Sequence, residues 1–285
     1  MSIRNNEERV GPKNPDVSSP TPHVQQGADP PIFSYVVPTE FVELPSKGKY
    51  YEKGHPLHGQ ETIEIKHMTA KDEDILTSRS LLKKGLAINR MLQNILVDKS
   101  VNVDTLLIGD KNAIIVAARI SAYGAEYETQ VTCPACMNNS KYGFNLHELG
   151  ISYGDDMAEG IKREGRNFII TLPKTKVHVE VRLLNGQDEK FLSEAATMKR
   201  KNNLPDTSLT DQFRTFIVSL NGHTGQHEIN NFINSMPAGD SRHMRTVYET
   251  VVPNVDMKQN FYCNSCDYDA EMEVPLSAEF FWPKQ

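Results

Sequence analysis

The chain's four cysteines fall in two Cys-x-x-Cys pairs, Cys133-Pro-Ala-Cys136 and Cys263-Asn-Ser-Cys266, and none is left over. A two-residue spacer lets the backbone curl until both sulfurs of a pair face one point, and Zn²⁺ takes four thiolates tetrahedrally at about 2.3 Å. Cys136 and Cys263 are 127 residues apart, far beyond the roughly 15–20 of a compact zinc ribbon, so the fold itself must return the chain. Closing a flexible loop of that length costs about 4 kcal/mol, against roughly 10–16 kcal/mol for a structural zinc site in small peptides. The metal contributes more than the loop costs. The spacing therefore predicts one structural Zn²⁺ held by Cys133, Cys136, Cys263 and Cys266. Two redox-active pairs, free thiols or disulfides are the other readings. Redox chemistry of the thioredoxin kind wants a strand-to-helix junction, where a helix N-terminus lowers the thiol pKa, and the residues leaving each pair here alternate like strands. Four thiolates also leave no open position for a catalytic water.

Strands must carry these knuckles. Tyr127, Thr129 and Val131 alternate into the first pair and Tyr142, Phe144 and Leu146 alternate out of it, which predicts a hairpin. After Cys266, Asp267, Asp269, Glu271 and Glu273 alternate with Tyr268, Ala270, Met272 and Val274, giving a strand with one acidic and one apolar face. Upstream, Val42 to Tyr51 and Glu61-Thr-Ile-Glu-Ile-Lys66 read as a small β unit. Thr69-Ala-Lys-Asp72 resembles a capping box opening a helix that runs towards Gly85. Ile88, Met91, Leu92, Ile95 and Leu96 mark one face of a second helix, and Lys111 to Ile120 a third. Phe168 to Leu172 and Val177 to Leu183 read as a hairpin closed by Pro173-Lys-Thr-Lys176. Four helical patterns follow: Phe191, Leu192, Ala195 and Ala196; Phe213, Phe216, Ile217 and Leu220; Ile229, Phe232, Ile233 and Met236; and Met244, Val247, Tyr248 and Val251. No fixed-period repeat occurs.

With 285 residues the chain can bury a core without disulfide staples. Residues 1–38 hold seven of the sixteen prolines among Asn, Ser, Gln and Glu, too little apolar surface to offset roughly 1–2 kcal/mol of ordering per residue. They read as an extended arm, either solvated or ordering on a neighbouring subunit. The remaining pattern divides into residues 39–150 (opening β unit, helical unit, first knuckle), 151–260 (β-hairpin plus helices) and 261–285 (second knuckle and C-terminal strand). The fold class is α+β, a helical unit and β-hairpins joined by a discontinuous four-cysteine zinc ribbon.

Other motifs carry no chemistry. His223 and His227 have i, i+4 spacing, but Thr-Gly-Gln between them lacks the glutamate of a zinc protease helix and places a glycine in the turn. Dinucleotide-binding, P-loop and nucleophile-elbow glycine patterns are missing, and Asp155-Asp156 follow a glycine in a turn, so no enzymatic activity is expected. No apolar run approaches the roughly 20 residues of a membrane span. No charged and then apolar leader opens the sequence, and a reducing compartment follows as the default. A zinc-ribbon nucleic-acid binder is the rival reading. The net charge of −6 and the four acids after the second knuckle oppose it, and Lys199-Arg-Lys201 reads as the basic end of a helix.

Several pieces in order resemble the T4-type bacteriophage baseplate hub subunit family, the hub assembly proteins of contractile-tailed viruses. They are Leu44-Pro-Ser-Lys-Gly48 followed by aromatics, Ser121-Ala-Tyr-Gly124, the first Cys-x-x-Cys, and Val274-Pro-Leu-Ser-Ala-Glu-Phe-Phe-Trp-Pro283. The resemblance spans about residues 40–283 and leaves the arm outside. It implies a non-enzymatic structural or assembly part of the baseplate hub, with other phage tail proteins as partners. The place would be the host cytoplasm during assembly and then the virion baseplate. Phe280, Phe281 and Trp282 are the partner-binding candidates, because aromatics concentrate at interface centres; three adjacent aromatics can equally plug a core.

Overall fold

Alternating residues in Thr39–Glu43 (β1) and Thr62–Lys66 (β2) turn one side of each strand inward, and the two pair antiparallel with Val42 opposite Ile63. The computed structural model describes residues 36–155, 160–275 and 280–281; most of the arm expected over 1–38 lies outside them. Between the strands the chain folds back through Leu44-Pro-Ser-Lys-Gly48. Leu44 is buried, and Gly48 sits at φ +67°, where a Cβ would lie 2.4 Å from the Gln60 nitrogen. Only glycine fits that approach.

The helical unit follows as Ala70–Thr77 (α1), Arg79–Lys83 (α2), Ala87–Ile95 (α3) and Ile108–Tyr123 (α4). At the start of α1 the Asp72 carboxylate accepts from the Thr69 amide and hydroxyl at 2.9 and 2.7 Å. The single helix expected as far as Gly85 instead breaks at Ser78. Thr77 turns its hydroxyl back onto the Glu73 carbonyl at 2.9 Å, a local bond that competes with helix continuation. In α3, Met91, Leu92 and Ile95 are buried while Ile88 stays exposed.

Helix α4 runs through the core and buries Asp110. This carboxylate accepts from the Ser46 amide (2.9 Å), the Ser46 hydroxyl (2.6 Å) and the Tyr51 hydroxyl (2.7 Å). The Leu-Pro-Ser-Lys-Gly turn is thereby fixed to the central helix. Burial raises the Asp110 pKa above its ordinary 3.8, and the hydrogen bonds from Ser46 and Tyr51 only partly oppose that. The folded state then holds this proton more tightly than the unfolded chain. The stability contributed by Asp110 is full below the unfolded pKa and declines as pH rises through the folded one. Asp110→Ala is expected to cost about 2–4 kcal/mol, because it orphans the Ser46 amide and two hydroxyls. Asp110→Asn keeps an acceptor for the amide and lets both hydroxyls reverse, so it should cost less than half as much and remove the declining limb. Urea unfolding across pH measures both.

Next come Glu126–Thr132 (β3), Asn139–Asn145 (β4), Gly150–Ser152 (β5), Ile161–Glu164 (β6), Asn167–Thr171 (β7) and His178–Val181 (β8). Gly186–Lys201 (α5), Ser208–Phe216 (α6) and Ile217–Leu220 (β9) follow. The expected hairpin at 168–183 is the centre of a four-stranded antiparallel sheet of order β6-β7-β8-β9. Phe213, Phe216, Ile217 and Leu220 do not share one helix: α6 ends at Phe216 and the rest form β9. Four apolar residues in that spacing satisfy either period, and the open edge of β8 together with the β-branched Ile217-Val218 decides for the strand. Helix α5 also departs from expectation, for Phe191 is 62% exposed. Its first turn anchors it, since Asn185 caps the Gln187 and Asp188 amides while Arg182 grips Asp188 through two bonds of 2.6 and 2.7 Å.

The chain closes with Gln226–Ser235 (α7), Ala238–Val251 (α8), Asn254–Asp256 (β10), Lys258–Tyr262 (β11) and Asp269–Glu273 (β12). β10 pairs with β5, β11 with β12 and β3 with β4, all antiparallel. The result is a mixed α+β body of small antiparallel sheets around α4.

Candidate metal centre

Two hairpins, β3–β4 and β11–β12, present their Cys-x-x-Cys turns to each other. Inward residues of the strands seat them: Tyr127, Val131, Phe144 and Phe261 are buried. Tyr142 packs edge-on against Phe261 with ring centroids 4.9 Å apart and donates to the Asn260 carbonyl at 3.0 Å. Gln259 binds the Asn145 backbone on both sides, donating to the carbonyl at 2.6 Å and accepting from the amide at 3.2 Å. Apolar contact and backbone bonding thus hold segments more than a hundred residues apart in register.

The knuckles are copies of one another. In the first, the Cys133 amide donates to the Asn138 carbonyl and the Met137 amide to the Cys133 carbonyl, both at 2.9 Å. In the second, the Cys263 amide donates to Tyr268 at 2.8 Å and the Asp267 amide to Cys263 at 3.0 Å. Met137 and Asp267 take φ values of 60° and 55° to close the turns. Cys133 and Cys263 are buried, Cys136 and Cys266 exposed, and Asn138 bridges to the Ser265 hydroxyl at 2.8 Å.

The four Sγ atoms lie within 4.8 Å of one another. Cys133 is 3.7 Å from Cys266 and Cys136 is 3.8 Å from Cys263. A disulfide needs about 2.05 Å, whereas sulfurs placed tetrahedrally about 2.3 Å from a centre stand about 3.8 Å apart. The Ser265 amide lowers the Cys263 thiol to about 7. At Cys266 the Tyr268 amide pulls downward, but the Cys136 thiol, burial and the other sulfurs outweigh it and the net shift is upward. The donor set fits a soft divalent ion that prefers four thiolates. Among the described residues no other group of His, Cys, Asp and Glu converges in this way; His227 pairs with Asn231 on α7 at 3.0 Å.

The aromatic candidates fall elsewhere. Phe280 and Phe281 are 2% and 3% exposed, and Phe280 packs edge-on against Tyr127 with centroids 5.1 Å apart. Their side chains are buried in the core beside β3; Trp282 lies outside the described residues. What draws them in is Arg119, a guanidinium with no local sequence signal. It is fully buried on α4 and donates to the carbonyls of Phe280 (2.5 Å), Gly124 (2.6 Å) and Glu126 (3.0 Å). Lys199, at the basic end of α5, is paired with Asp211.

Comparison with known families says what class of protein this α+β body is. The family model described as T4 bacteriophage base plate protein matches residues 37–282. The chain belongs to that family, whose role is structural and whose setting is the phage baseplate with its tail-protein partners. No curated protein and no solved structure matches it. No helix among the described residues is long and apolar enough to cross a membrane.

Proposed function

We propose that the chain is a non-enzymatic structural or assembly component of the baseplate hub of a contractile phage tail. In this reading it is braced by one structural Zn²⁺ on Cys133, Cys136, Cys263 and Cys266. The family match over residues 37–282 carries the baseplate role, and the convergence of four sulfurs supports the metal. The ion would neutralise the thiolates and tie two hairpins, and therefore two remote parts of the chain, into one rigid ribbon. The chain would act in the host cytoplasm during assembly and then at the baseplate. The arm over residues 1–38 would order on a neighbouring tail protein. Nothing favours the nucleic-acid reading, since the outward residues of β12 are acids.

The test is a phage lacking this gene. Arrested baseplates with complete heads, restored by the chain supplied in trans, are expected. Normal tails in its absence would overturn the proposal.

A further inference from the structure

Residues 75–97 contain no Asp or Glu but carry Arg79, Lys83, Lys84 and Arg90. All four are exposed, and none forms an ion pair among the described residues. On a chain of net charge −6 this is a positive patch, bordered by Asp72, Glu73 and Asp74 at the start of α1, in which none of the four cations is held in an ion pair. It is also apolar: α2 buries none of its residues, and Leu82 and Ile88 are 47% and 39% exposed. Between α1, α2 and α3 runs a groove of about 420 Å³ lined by Ile75, Leu81, Arg90, Gln93, Asn94 and Lys99. Lys99 holds its form by donating to the Gln93 and Asn94 carbonyls at 3.1 and 2.8 Å. The lining offers aliphatic side chains, amides and cations but no aromatic ring on which a base could stack.

The matching surface lies on the same molecule. On the outer side of the ribbon Asp267, Asp269, Glu271 and Glu273 are exposed and have no ion-pair partner among the described residues. Across the ladder they meet Tyr262, Asn260 and a single cation, Lys258. The ribbon tip adds exposed apolar surface, with Met137 at 73% and Tyr262 at 47%. Cationic and aliphatic on one side, acidic and apolar on the other, the two surfaces are complementary in both charge and hydrophobicity.

We propose that the α1–α3 groove docks the acidic ribbon of a second copy of this chain. Donor and acceptor surfaces differ, so the contact is head-to-tail and each open oligomer retains one free ribbon at one end and one free groove at the other for further addition. Exposed opposite charges dominate the contact, and salt screens it.

Sedimentation velocity of the metal-loaded full chain tests this. Concentration-dependent association is expected at low salt, weakened about tenfold or more at high salt. Arg79→Glu with Arg90→Glu removes the groove, and Asp269→Lys with Glu271→Lys removes the ribbon face; each double variant alone should stay monomeric. All four positions are exposed, and unchanged circular dichroism and metal content report that the fold is intact. A one-to-one mixture of the two variants should recover association, because the native ribbon of the first meets the native groove of the second. A wild-type chain that stays monomeric at low salt would overturn the proposal. So would variants that associate like wild type, a mixture that fails to recover, or duplex DNA that occupies the groove and is lost with Arg79→Glu and Arg90→Glu.

Discussion

Replacing Cys263 by serine is expected to lower bound metal from one ion per chain to nearly none and to lower the melting temperature by about 10 °C or more. A structural site of this type contributes on the order of 10 kcal/mol in small peptides, and each kcal/mol is about 2–4 °C in a domain of this size. Part of that loss is recovered here. The Tyr142–Phe261 contact and the Gln259–Asn145 bonds join the hairpins without metal, so the ribbon should loosen without the whole chain unfolding. Far-UV circular dichroism should change little, since the helices lie elsewhere, while hydrogen exchange should quicken across β3, β4, β11 and β12. Treatment of the wild type with a strong chelator should give the same pattern. A Cys263→Ser protein that melts with the wild type and keeps its exchange protection would show that the sulfurs bear no load.

The second large effect belongs to Arg119. Its guanidinium is fully buried and forms no ion pair among the described residues, and burial lowers its pKa. What stabilises it is the set of three carbonyl acceptors from Gly124, Glu126 and Phe280. Arg119→Met fills most of the volume but leaves those carbonyls without donors, at a cost of about 3–5 kcal/mol. The loss should be local as well as global, because the Phe280 carbonyl is held by that donor and the Phe280 ring rests on Tyr127. Carboxypeptidase should trim the variant into the C-terminal segment faster than the wild type under native conditions. Arg119→Lys should recover less than half of the stability, because one ammonium cannot reach three carbonyls that a planar fork spans. Equal trimming rates in all three proteins would remove Arg119 from this role.

The two sites differ in how far the sequence discloses them. The convergence of the cysteine pairs was legible because a four-thiolate site would impose both residue type and spacing, and the alternation of Tyr127, Thr129 and Val131 gave away the strand that carries the first pair. Asp110 and Arg119 were not legible. Each is a lone charge inside a helical pattern, and its partners come from Ser46, 64 residues away, and from Phe280, 161 residues away. Nothing local marks a charge that tertiary structure will bury. Phe280 and Phe281 showed apolar area but not its direction, which the Arg119 donors set. At β9 the residues satisfied two periods at once, and the unpaired edge of β8 together with the β-branched Ile217-Val218 separated them. The Leu-Pro-Ser-Lys-Gly turn stood out as a motif, yet its reason appears only in three dimensions, where Ser46 anchors to Asp110 and Gly48 passes against the Gln60 backbone.

Zinc K-edge X-ray absorption on the purified chain tests the central claim most directly, since it reads the donors themselves. One zinc per chain surrounded by four sulfur scatterers at about 2.3 Å, with no nitrogen or oxygen in the shell, is expected. A protein isolated with intact thiols and no zinc, or a zinc shell containing light atoms in place of any sulfur, would contradict it.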